Sequence, residues 1–588
     1  MTKNNLTIKP LAAALALLGM TLATPAAAFK FQMENGLEGS FDSTISFGMQ
    51  RRMKSPDSSI IGNDSGGNVP TTGDPRLGAG ANPDFNYTNV DDGDLNYKKG
   101  DIVSAVLKGT HEMFLKDPGN WSALGRFTWS SDMAATHTQR TPLDSEAHDA
   151  LSKNVTLLDL WVAKEFSIGE QSAKVKLGNQ VISWGEDIFI IGGVNSINAL
   201  DLRKIHTPGT QLKEIFIPAP MISFTSGLGH GFSTEAYYQF AWNKFILDPA
   251  GSYWSSADFI GKGGKRGAFF PSSITQAFFG LPGGDFDPTR GRTLASLSIA
   301  GGGAGVIPVE QASPSNGGQY GVNLRFKPES GDTEYAGYFI RYHDKLPFVG
   351  FRYDPTTANL LNISAVEQYG QDRSLYGLSM NTKAGDWAIG AEVSYRPRDS
   401  VAIDPTVPAA GQYAFFDPAN GFGGAGTYTM NGYKDERKWQ GHVTAFRLLP
   451  PNIYAPLGAA EGYVMGEVAV THYPGLDLSG NVPYLLNNYT LPTKTSWGYV
   501  LEAGLTYADI FNSGWTMSPI IDWYHDVRGV SPNTIPFVEG RRAVNVGLNF
   551  DYHNQWKAAL GYTTFFGGGN LNMMRDRDVV FASVSYTF

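Results

Sequence analysis

Apolar and polar side chains alternate in segment after segment of this chain. In residues 37–50, for example, Phe41 and Ile45 fall on one side of the alternation, and Asp42 and Thr44 fall on the other. A period of two residues is the spacing of a β-strand that has one apolar face and one polar face. The pattern therefore predicts a protein built mainly from strands.

The alternating segments and the turns between them give a strand count. We predict about eighteen strands, with sixteen as the alternative, near 37–52, 101–115, 121–131, 155–166, 171–183, 219–227, 232–247, 318–327, 332–344, 373–383, 386–397, 437–450, 459–475, 496–508, 515–526, 541–552, 555–566 and 578–588. Short turns alternate with long loops between them, which is the topology of outer-membrane barrels. The sequence thus predicts an all-β fold: a transmembrane antiparallel β-barrel whose long extracellular loops fold partly into the lumen.

Aromatic residues mark both ends of an apolar strand face. Trp497 and Tyr507 lie on the same face of one predicted strand. At about 3.3 Å per residue and a tilt of about 40°, the ten residues between them cover roughly 25 Å along the membrane normal, the height expected of the apolar band. A soluble β-sandwich, the alternative for such strands, needs no aromatic residues at both ends of one face.

The two ends of the chain agree with an exported barrel. Residues 1–28 combine two early lysines, a short apolar run and a small-residue Ala-Ala-Ala site, which predicts a secretory signal peptide. The barrel is then expected over 29–588, in the outer membrane of a Gram-negative bacterium. Its last predicted strand alternates up to Phe588 and would close the sheet against the first strand. The pair Tyr586 and Phe588 also resembles the C-terminal signal that the barrel-assembly machinery reads.

Composition narrows the class of partner. Aromatic residues make up 13% of the chain and charged residues only 17%, while the formal net charge is −9. An acidic chain is a poor ligand for nucleic acid, so we expect no nucleic-acid partner and expect outer-membrane lipid instead. The chain has no cysteine, which excludes disulfides and thiolate metal sites.

Two long loops are too apolar for a freely solvated surface. They are predicted at 184–218 and 248–317, and we expect them to act as a plug or gate for the barrel. Their apolar residues could line a route for a hydrophobic molecule, since ligand sites are mainly apolar with a few orienting polar groups. They could equally pack the plug against itself. The candidates for such a route are Phe189, Ile191, Phe269, Phe270, Phe278 and Phe279.

Charged residues on the polar strand faces are expected to point into the lumen. Mixed charges of this kind can set selectivity in a pore, or they can hold plug loops in place. The candidates are Glu38, Asp42, Arg126, Glu235, Arg325, Glu392, Arg396, Glu467, Glu502, Asp522 and Lys557.

Motifs for catalysis or metal binding are weak or missing. Residues 91–96 group three aspartates and an asparagine around Gly93, a set of oxygen ligands that could suit Ca²⁺ but lacks EF-hand spacing. A solvated acidic turn is the alternative. The sequence carries no G-x-S-x-G, H-E-x-x-H or P-loop pattern. We therefore expect no enzyme activity, no resident metal and no cofactor.

Several long motifs resemble a known family. They include "LGNQVISWGEDIFIIGGVNSINALDL", "NVDDGDLNYKKGD", "EAYYQFAWNKFILDPAGSYWSSADF", "AEVSYRPRDSVAID" and "DRDVVFASVSYTF". On these the chain resembles the proteobacterial outer-membrane family called domain of unknown function 1302. The resemblance implies an outer-membrane β-barrel, distantly similar to FadL-type fatty-acid channels. It also implies a periplasmic or lipoprotein partner and an inner-membrane exporter nearby, but it identifies no functional residues.

These observations favour a channel or transporter for hydrophobic small molecules or lipids. Two alternatives stay open. A general diffusion porin for polar solutes would have a water-lined lumen with few apolar residues. An outer-membrane enzyme would need a serine and a histidine within hydrogen-bond reach.

Overall fold

Eighteen strands pair into one closed antiparallel sheet. In the computed structural model they are β1 (Glu38–Arg52), β2 (Ile102–Lys116), β3 (Trp121–Asp132), β4 (Asn154–Ile168), β5 (Gln171–Gln180), β6 (Ala219–Gly229), β7 (Phe232–Gln239), β8 (Gln319–Phe326), β9 (Glu334–Tyr342), β10 (Arg373–Ala384), β11 (Trp387–Ala402), β12 (Tyr433–Leu448), β13 (Glu461–His472), β14 (Thr495–Ile510), β15 (Trp515–Arg528), β16 (Arg542–Tyr552), β17 (Trp556–Phe566) and β18 (Val579–Thr587).

The structure describes residues 29–78, 83–268, 306–356, 362–407 and 411–588. The predicted signal peptide, 1–28, lies outside them. Each strand pairs with its neighbours in sequence, and β18 closes the cylinder against β1, with Tyr586 opposite Ile45. This confirms the predicted barrel. A short strand, Phe29–Gln32, pairs with the start of β1 beyond the end of β18.

The two faces of the sheet meet different surroundings. Outward-facing Leu378 and Leu501 are 65% and 51% exposed, whereas inward-facing Ser394 and Gln440 are both 1% exposed. Exposed apolar side chains outside and buried polar ones inside are the reverse of a soluble protein, and they suit an exterior solvated by lipid. The closed sheet leaves no edge for the lipid to face. The chain is therefore an outer-membrane barrel.

The loops differ in length between the two ends of the barrel. The long connections lie at one end, which this topology makes extracellular, and comprise 53–101, 133–153, 181–218, 240–318, 343–372, 403–432, 473–494, 529–541 and 567–578. Short turns join the strands at the other, periplasmic end. The α-helices of the described residues all lie in connections, at Asp84–Thr88, Asp92–Leu95, Ser145–Ser152, Leu202–Ile205, Leu212–Ile215 and Pro451–Tyr454. Within the described ranges, none of them has the length and apolar character needed to cross a membrane.

Extracellular loops also form a second sheet that the sequence did not predict. It has five strands, in the spatial order Arg266–Ala268, Val306–Ala312, Ile363–Gln368, Phe348–Tyr353 and Tyr428–Met430. One of its pairs is parallel, with Val309 opposite Ala365. The sheet covers an apolar cluster around Phe415, which is fully buried.

Candidate functional site

One loop, residues 181–218 between β5 and β6, lies inside the barrel. Its first anchor is Trp184, which is 2% exposed. The indole ring contacts Tyr237 and Tyr338 on the inner wall, at centroid distances of 5.3 and 5.8 Å. Its Nε1–H donates to a carboxylate oxygen of Glu235 at 2.6 Å. We call residues 181–218 the lumen loop.

The wall beneath this anchor is apolar, although it faces the lumen. The buried cluster comprises Ile182, Trp184, Val194, Ile197, Ala219, Met221, Tyr237, Ala336, Tyr338, Ile340, Tyr342 and Leu375. Because loop residues and strand residues share this cluster, burial of apolar surface fixes the lumen loop to strands β6 to β10. This side of the lumen is filled.

A single carboxylate holds the middle of the lumen loop. One oxygen of Glu467, on β13, accepts the backbone N–H groups of Ile188, Phe189 and Ile190 at 3.2, 2.5 and 3.0 Å. Its other oxygen lies 2.6 Å from Nδ1 of His442. Three backbone donors converging on one ionised acceptor make a strong and directional attachment.

A second carboxylate and an arginine hold the flanks of the same turn. The two oxygens of Glu392 accept the N–H groups of Glu186 at 2.6 Å and Val194 at 2.9 Å. The guanidinium of Arg396 donates to the carbonyls of Gly192 and Gly193 at 2.6 and 2.9 Å. Both ends of the turn therefore have their backbone groups satisfied by the wall.

Gly192 lets the backbone come this close to the wall. Its φ is +105°, and a Cβ there would stand 2.6 Å from the amide oxygen of Gln440. Only glycine accepts both the left-handed conformation and the contact. The neighbouring carbonyl of Ile191 accepts a hydrogen bond from the same Gln440 amide at 3.0 Å.

The lumen loop also carries an acid among these carboxylates. Burial raises the pKa of Asp187 to about 7, and the nearby charges of Glu392 and Glu467 act in the same direction. One of its buried oxygens has no hydrogen-bond partner within the described residues. The docked turn therefore favours the protonated form of this side chain.

The second half of the lumen loop crosses to the opposite wall. Lys108 on β2 forms an ion pair with Glu214 at 2.9 Å, and both side chains are buried. Gln50 on β1 donates to the carbonyl of His206 at 2.8 Å. Gly48 faces Pro208 so closely that a Cβ at Gly48 would stand 2.7 Å from the proline ring. The loop thus spans the lumen from β13 to β1 and β2.

A cavity of about 640 Å³ remains between this crossing and the wall. Strands β15 to β18, β1 and β2 supply the wall, and the lumen loop supplies the cover. The lining residues are Asp42, Thr44, Thr110, Glu112, Gly209, Thr210, Gln211, Lys213, Ser518, Asn549, Phe550, Asp551, Asn554, Lys557, Ala558, Ala559, Ser583, Ser585 and Thr587. Most of these side chains are small or polar, so the cavity is lined mainly by groups that water can solvate.

The residues proposed for an apolar route have different surroundings. Phe189 packs beside Ile190 against the inner wall at Val500, and its ring meets Tyr524 edge-on at 6.4 Å. Ile191 is 40% exposed inside the barrel. The other four candidates, Phe269, Phe270, Phe278 and Phe279, lie outside the described residues. Phe189 therefore serves packing, whereas the side chain of Ile191 is only partly covered.

The lumen charges fall into two groups. Glu235, Glu392, Arg396 and Glu467 hold the lumen loop, as described above. The others contact one another or the wall: Arg126 pairs with Glu112 and Asp159, each at 2.6 Å; Arg325 pairs with Glu334 at 3.2 Å; Glu502 accepts from Tyr463 at 2.6 Å; and Asp522 accepts from Asn545 at 2.7 Å. Asp42 and Lys557 line the cavity, and Glu38 is exposed at the periplasmic rim.

A serine and a histidine meet on the outer wall. Ser43 Oγ lies 2.9 Å from Nδ1 of His111, and Trp129 Nε1 lies 3.0 Å from the histidine Nε2. Indole N–H can only donate, so Nε2 is the acceptor and, in the neutral ring, Nδ1 carries the proton. The histidine then donates to Ser43 and cannot take the serine proton. This pair lacks the arrangement that a serine nucleophile requires.

The acidic turn at 91–96 forms ion pairs with arginines. Asp94 lies 3.6 Å from Arg52 and 3.1 Å from Arg577, and all three side chains are buried. Asp576 joins the same cluster through Arg52 at 2.9 Å. Burial raises the pKa of Asp94. The described residues contain no group of three acidic or histidine side chains arranged to hold a metal ion.

The last residues of the chain close the barrel. The ring of Tyr586 packs on Trp556 at 4.6 Å, and the backbone N–H of Phe588 donates to the carbonyl of Ser43 at 2.8 Å. Recognition by the barrel-assembly machinery stays a prediction.

Several side chains that hold the lumen loop were not expected from the sequence. Lys108, Gln440 and His442 lie on polar strand faces, as the expected residues do, but nothing in the sequence distinguishes them from other lumen residues. Glu214 lies on the lumen loop itself. The signal that could have found them is their common face with Glu392 and Glu467, read together with an apolar loop that must be held inside.

One family model and several solved structures match this chain. The model of a family described as "Protein of unknown function (DUF1302)" matches residues 9–588. A search of curated proteins finds no match.

Among solved structures, the chain is similar to OpdK of Pseudomonas aeruginosa, solved with vanillate, at 9% identity and a TM-score of 0.37, covering 94% of this chain and 98% of that one. It is also similar to OccAB1 of Acinetobacter baumannii, at 8% identity and a TM-score of 0.40, covering 95% and 98%. A third similar structure is a BenF-like porin from Pseudomonas fluorescens Pf-5, at 9% identity and a TM-score of 0.38, covering 94% of this chain and 98% of that one. The expected similarity to FadL-type channels stays a prediction.

Proposed function

The chain belongs to the DUF1302 family, whose description gives no activity, and we propose that it is a channel for small water-soluble polar solutes. The observation that carries this proposal is the cavity of about 640 Å³ beside β15 to β18, β1 and β2. Its size lies within the range of small-molecule sites. The lumen loop narrows the path to this side of the barrel.

The chemistry of the lining supports a polar solute. Hydroxyl groups of Thr44, Thr110, Ser583 and Ser585 face the cavity. Such groups exchange hydrogen bonds with water and with a passing solute at little cost, whereas an apolar solute would gain nothing from them. Acidic and basic side chains, Asp42, Glu112, Asp551, Lys213 and Lys557, lie along the same cavity and give it both signs of charge. Small neutral or zwitterionic solutes suit such a path.

A blocking substitution tests the path. Ser585 lies on β18 opposite Ser46 and faces the cavity. Ser585→Trp should lower single-channel conductance in planar bilayers and slow the swelling of liposomes in small sugars and amino acids. Val584→Trp is the matched control, because this neighbour belongs to the apolar face and points to lipid. Equal conductance of the two variants would reject the proposed path.

A channel for hydrophobic molecules is the second candidate. The observation in its favour is that Ile188 and Ile191 are 52% and 40% exposed inside the barrel. If this candidate is correct, Ile188→Ser with Ile191→Ser should impair uptake of a fluorescent fatty acid by cells that depend on this protein. Polar-solute flux should then be absent in the wild-type protein. Under our proposal, polar-solute flux is present and the double substitution leaves it intact.

A further inference from the structure

Basic side chains project outward near the extracellular ends of the strands β11 to β16. They are Arg398, Arg437, His472, Arg528 and Arg542, and all five are exposed. We call them the basic belt. It does not line the lumen, so the proposed channel function makes no use of it.

The strand register shows that the belt faces away from the lumen. Arg437 alternates with the buried, inward-facing Lys438 and Gln440. His472 stands opposite Trp439, and Arg528 stands opposite Trp497. Both tryptophans belong to the apolar outer face. Residues directly opposite one another on paired strands share a face.

Arg542 and Arg398 also lie on the outer face of the barrel. Arg542 stands opposite His525, which itself stands opposite Tyr499 on the outer face. Arg398 lies in a bulge next to the inward-facing Asp399, and its guanidinium donates to the carbonyl of Asp372 at 2.7 Å. The belt therefore follows the outside of the barrel over six consecutive strands, interrupted only at β14.

The belt lies directly beyond the outer aromatic girdle. Tyr395 and Trp439 are in contact on the outer face, with ring centroids 4.6 Å apart, and Arg437 is two residues further along the same strand as Trp439. Two strand residues extend about 7 Å, or roughly 5 Å along the membrane normal at the usual tilt. Aromatic girdles sit at the boundary of the hydrocarbon, so the next groups outward are at the level of the lipid headgroups.

Three members of the belt have no partner in the protein. The side chains of Arg437, Arg528 and Arg542 make no ion pair or hydrogen bond with any residue that the structure describes. The nearby Asp435, on the same face as Arg437, is already paired with Arg373 at 2.7 Å. Guanidinium groups bind phosphate oxygens in a bidentate manner, which makes phosphate the expected complement.

We propose that the basic belt binds the phosphate groups of the outer-leaflet glycolipid, lipid A. This lipid places phosphates at the headgroup level, next to the girdle, along the side of the barrel from β11 to β16. The outer-leaflet lipid is thus held on one side of the barrel.

The opposite end of the barrel supplies a control set. Lys30, Lys116 and Lys327 are exposed near the periplasmic end, far from the outer leaflet. Converting these three to Gln removes the same charge as Arg437→Gln with Arg528→Gln and Arg542→Gln. Any loss of lipid binding that follows net charge alone will then appear in both sets.

The test is binding of fluorescent lipid A to the folded full-length barrel in a neutral detergent. Wild-type protein and the lysine control should bind with similar affinity, and the arginine triple variant should bind about tenfold or more weakly. Dephosphorylated lipid A should bind weakly to all three. Heat-modifiable migration on gels checks that each variant is folded.

Three outcomes would overturn the proposal. The arginine triple variant could retain wild-type affinity, or the lysine control could lose as much as the arginine variant. Inorganic phosphate, at the same phosphate concentration, could displace the lipid completely, in which case the belt binds free anions and not a lipid surface.

Discussion

A carboxylate oxygen of Glu467 accepts a hydrogen bond from the backbone N–H of Ile190 at 3.0 Å, across 277 residues of sequence. This contact ties the lumen loop to the barrel wall, at the point where β13 pairs with Val500 of β14. Together with Glu392 on β11, it converts an apolar loop that could swing freely into a fixed partition. The cavity of about 640 Å³ lies on one side of this partition, beside β15 to β18, β1 and β2.

Removing the charge of Glu467 should loosen this partition. Glu467→Gln keeps an amide oxygen as an acceptor but loses the ionised group, and hydrogen bonds to charged groups contribute roughly 1.5–3 kcal/mol each. We expect larger current fluctuations in the open channel in planar bilayers. Glu461→Gln, at the exposed periplasmic start of the same strand, is the control and should behave as wild type. If the current fluctuations of Glu467→Gln equalled those of the wild type, this result would contradict the role of the carboxylate.

The lumen loop should respond to pH through Asp187. The pKa of this side chain is about 7 in the docked loop against the ordinary 3.8, so the docked loop binds a proton more tightly than a released loop does. Raising the pH from about 4 to about 7 therefore weakens docking, and further increases change little. Current fluctuations should be greater at pH 8 than at pH 5.

Asp187→Asn tests the predicted direction of this pH effect. The amide cannot ionise, so the difference between pH 5 and pH 8 should disappear while the channel still conducts. The prediction fails if the variant keeps the full pH dependence, because Glu186, Glu392, Glu467 and His442 would then account for it.

The ion pair of Lys108 with Glu214 should behave as a buried pair. Lys108→Met leaves an unpaired buried carboxylate and should lower the free energy of unfolding by about 3–5 kcal/mol. Adding Glu214→Met to it should recover most of the loss, since two apolar side chains replace both charges. Denaturant unfolding of the refolded barrel measures the free energy of unfolding of the single variant and of the double variant.

The exposed pair of Lys174 with Glu165, at 3.0 Å, is the control for that cycle. Lys174→Met should cost no more than about 1 kcal/mol, because solvent screens such pairs. Similar losses for Lys108→Met and Lys174→Met would show that the lumen loop is not held by a buried charge.

The cluster around Asp94 should hold two extracellular loops together. Arg577 donates to the carbonyl of Gly93 at 2.6 Å and pairs with Asp94. Arg577→Met should therefore free the loop and speed trypsin cleavage at the exposed Lys98 and Lys99.

Arg575→Met is the comparison for this cluster, because it breaks a partly exposed ion pair with Asp57, 2.9 Å long, between the same two loops. It should speed cleavage less than Arg577→Met does, and adding Ca²⁺ or EDTA should change neither rate. If Ca²⁺ instead protected the loop from trypsin, residues 91–96 would bind calcium, as their oxygen ligands could allow.

The barrel was predictable because membrane strands obey one strong rule. Residues 155–166 alternate so regularly that the predicted strand lies within the observed Asn154–Ile168. Three boundaries were wrong by four residues or more, and one of them is the end of the strand predicted near 386–397, which continues to Ala402. The strand predicted near 232–247 ends at Gln239, since Trp242 leaves the wall and donates to the carbonyl of Asp344 in another loop. The strand predicted near 437–450 begins at Tyr433, because a bulge in β11 extends the pairing above the membrane through charged residues.

The candidate site was less predictable, because its contacts join distant segments. The sequence indicates that Glu392, Arg396 and Glu467 face the lumen. It does not indicate that the two glutamates accept backbone N–H groups from residues about 200 or more positions away. The parallel pair Val309 and Ala365 was missed for the same reason. Local periodicity identifies faces and not partners.

The most direct test of the account replaces residues 183–217 with a short Gly-Ser turn and compares single-channel conductance with that of the wild-type barrel. Heat-modifiable migration confirms that the shortened barrel is closed. The account predicts that wild-type channels conduct small ions in discrete steps and that the shortened barrel conducts more. Equal conductance, or no conductance in either protein, would contradict a water-filled barrel narrowed by the lumen loop.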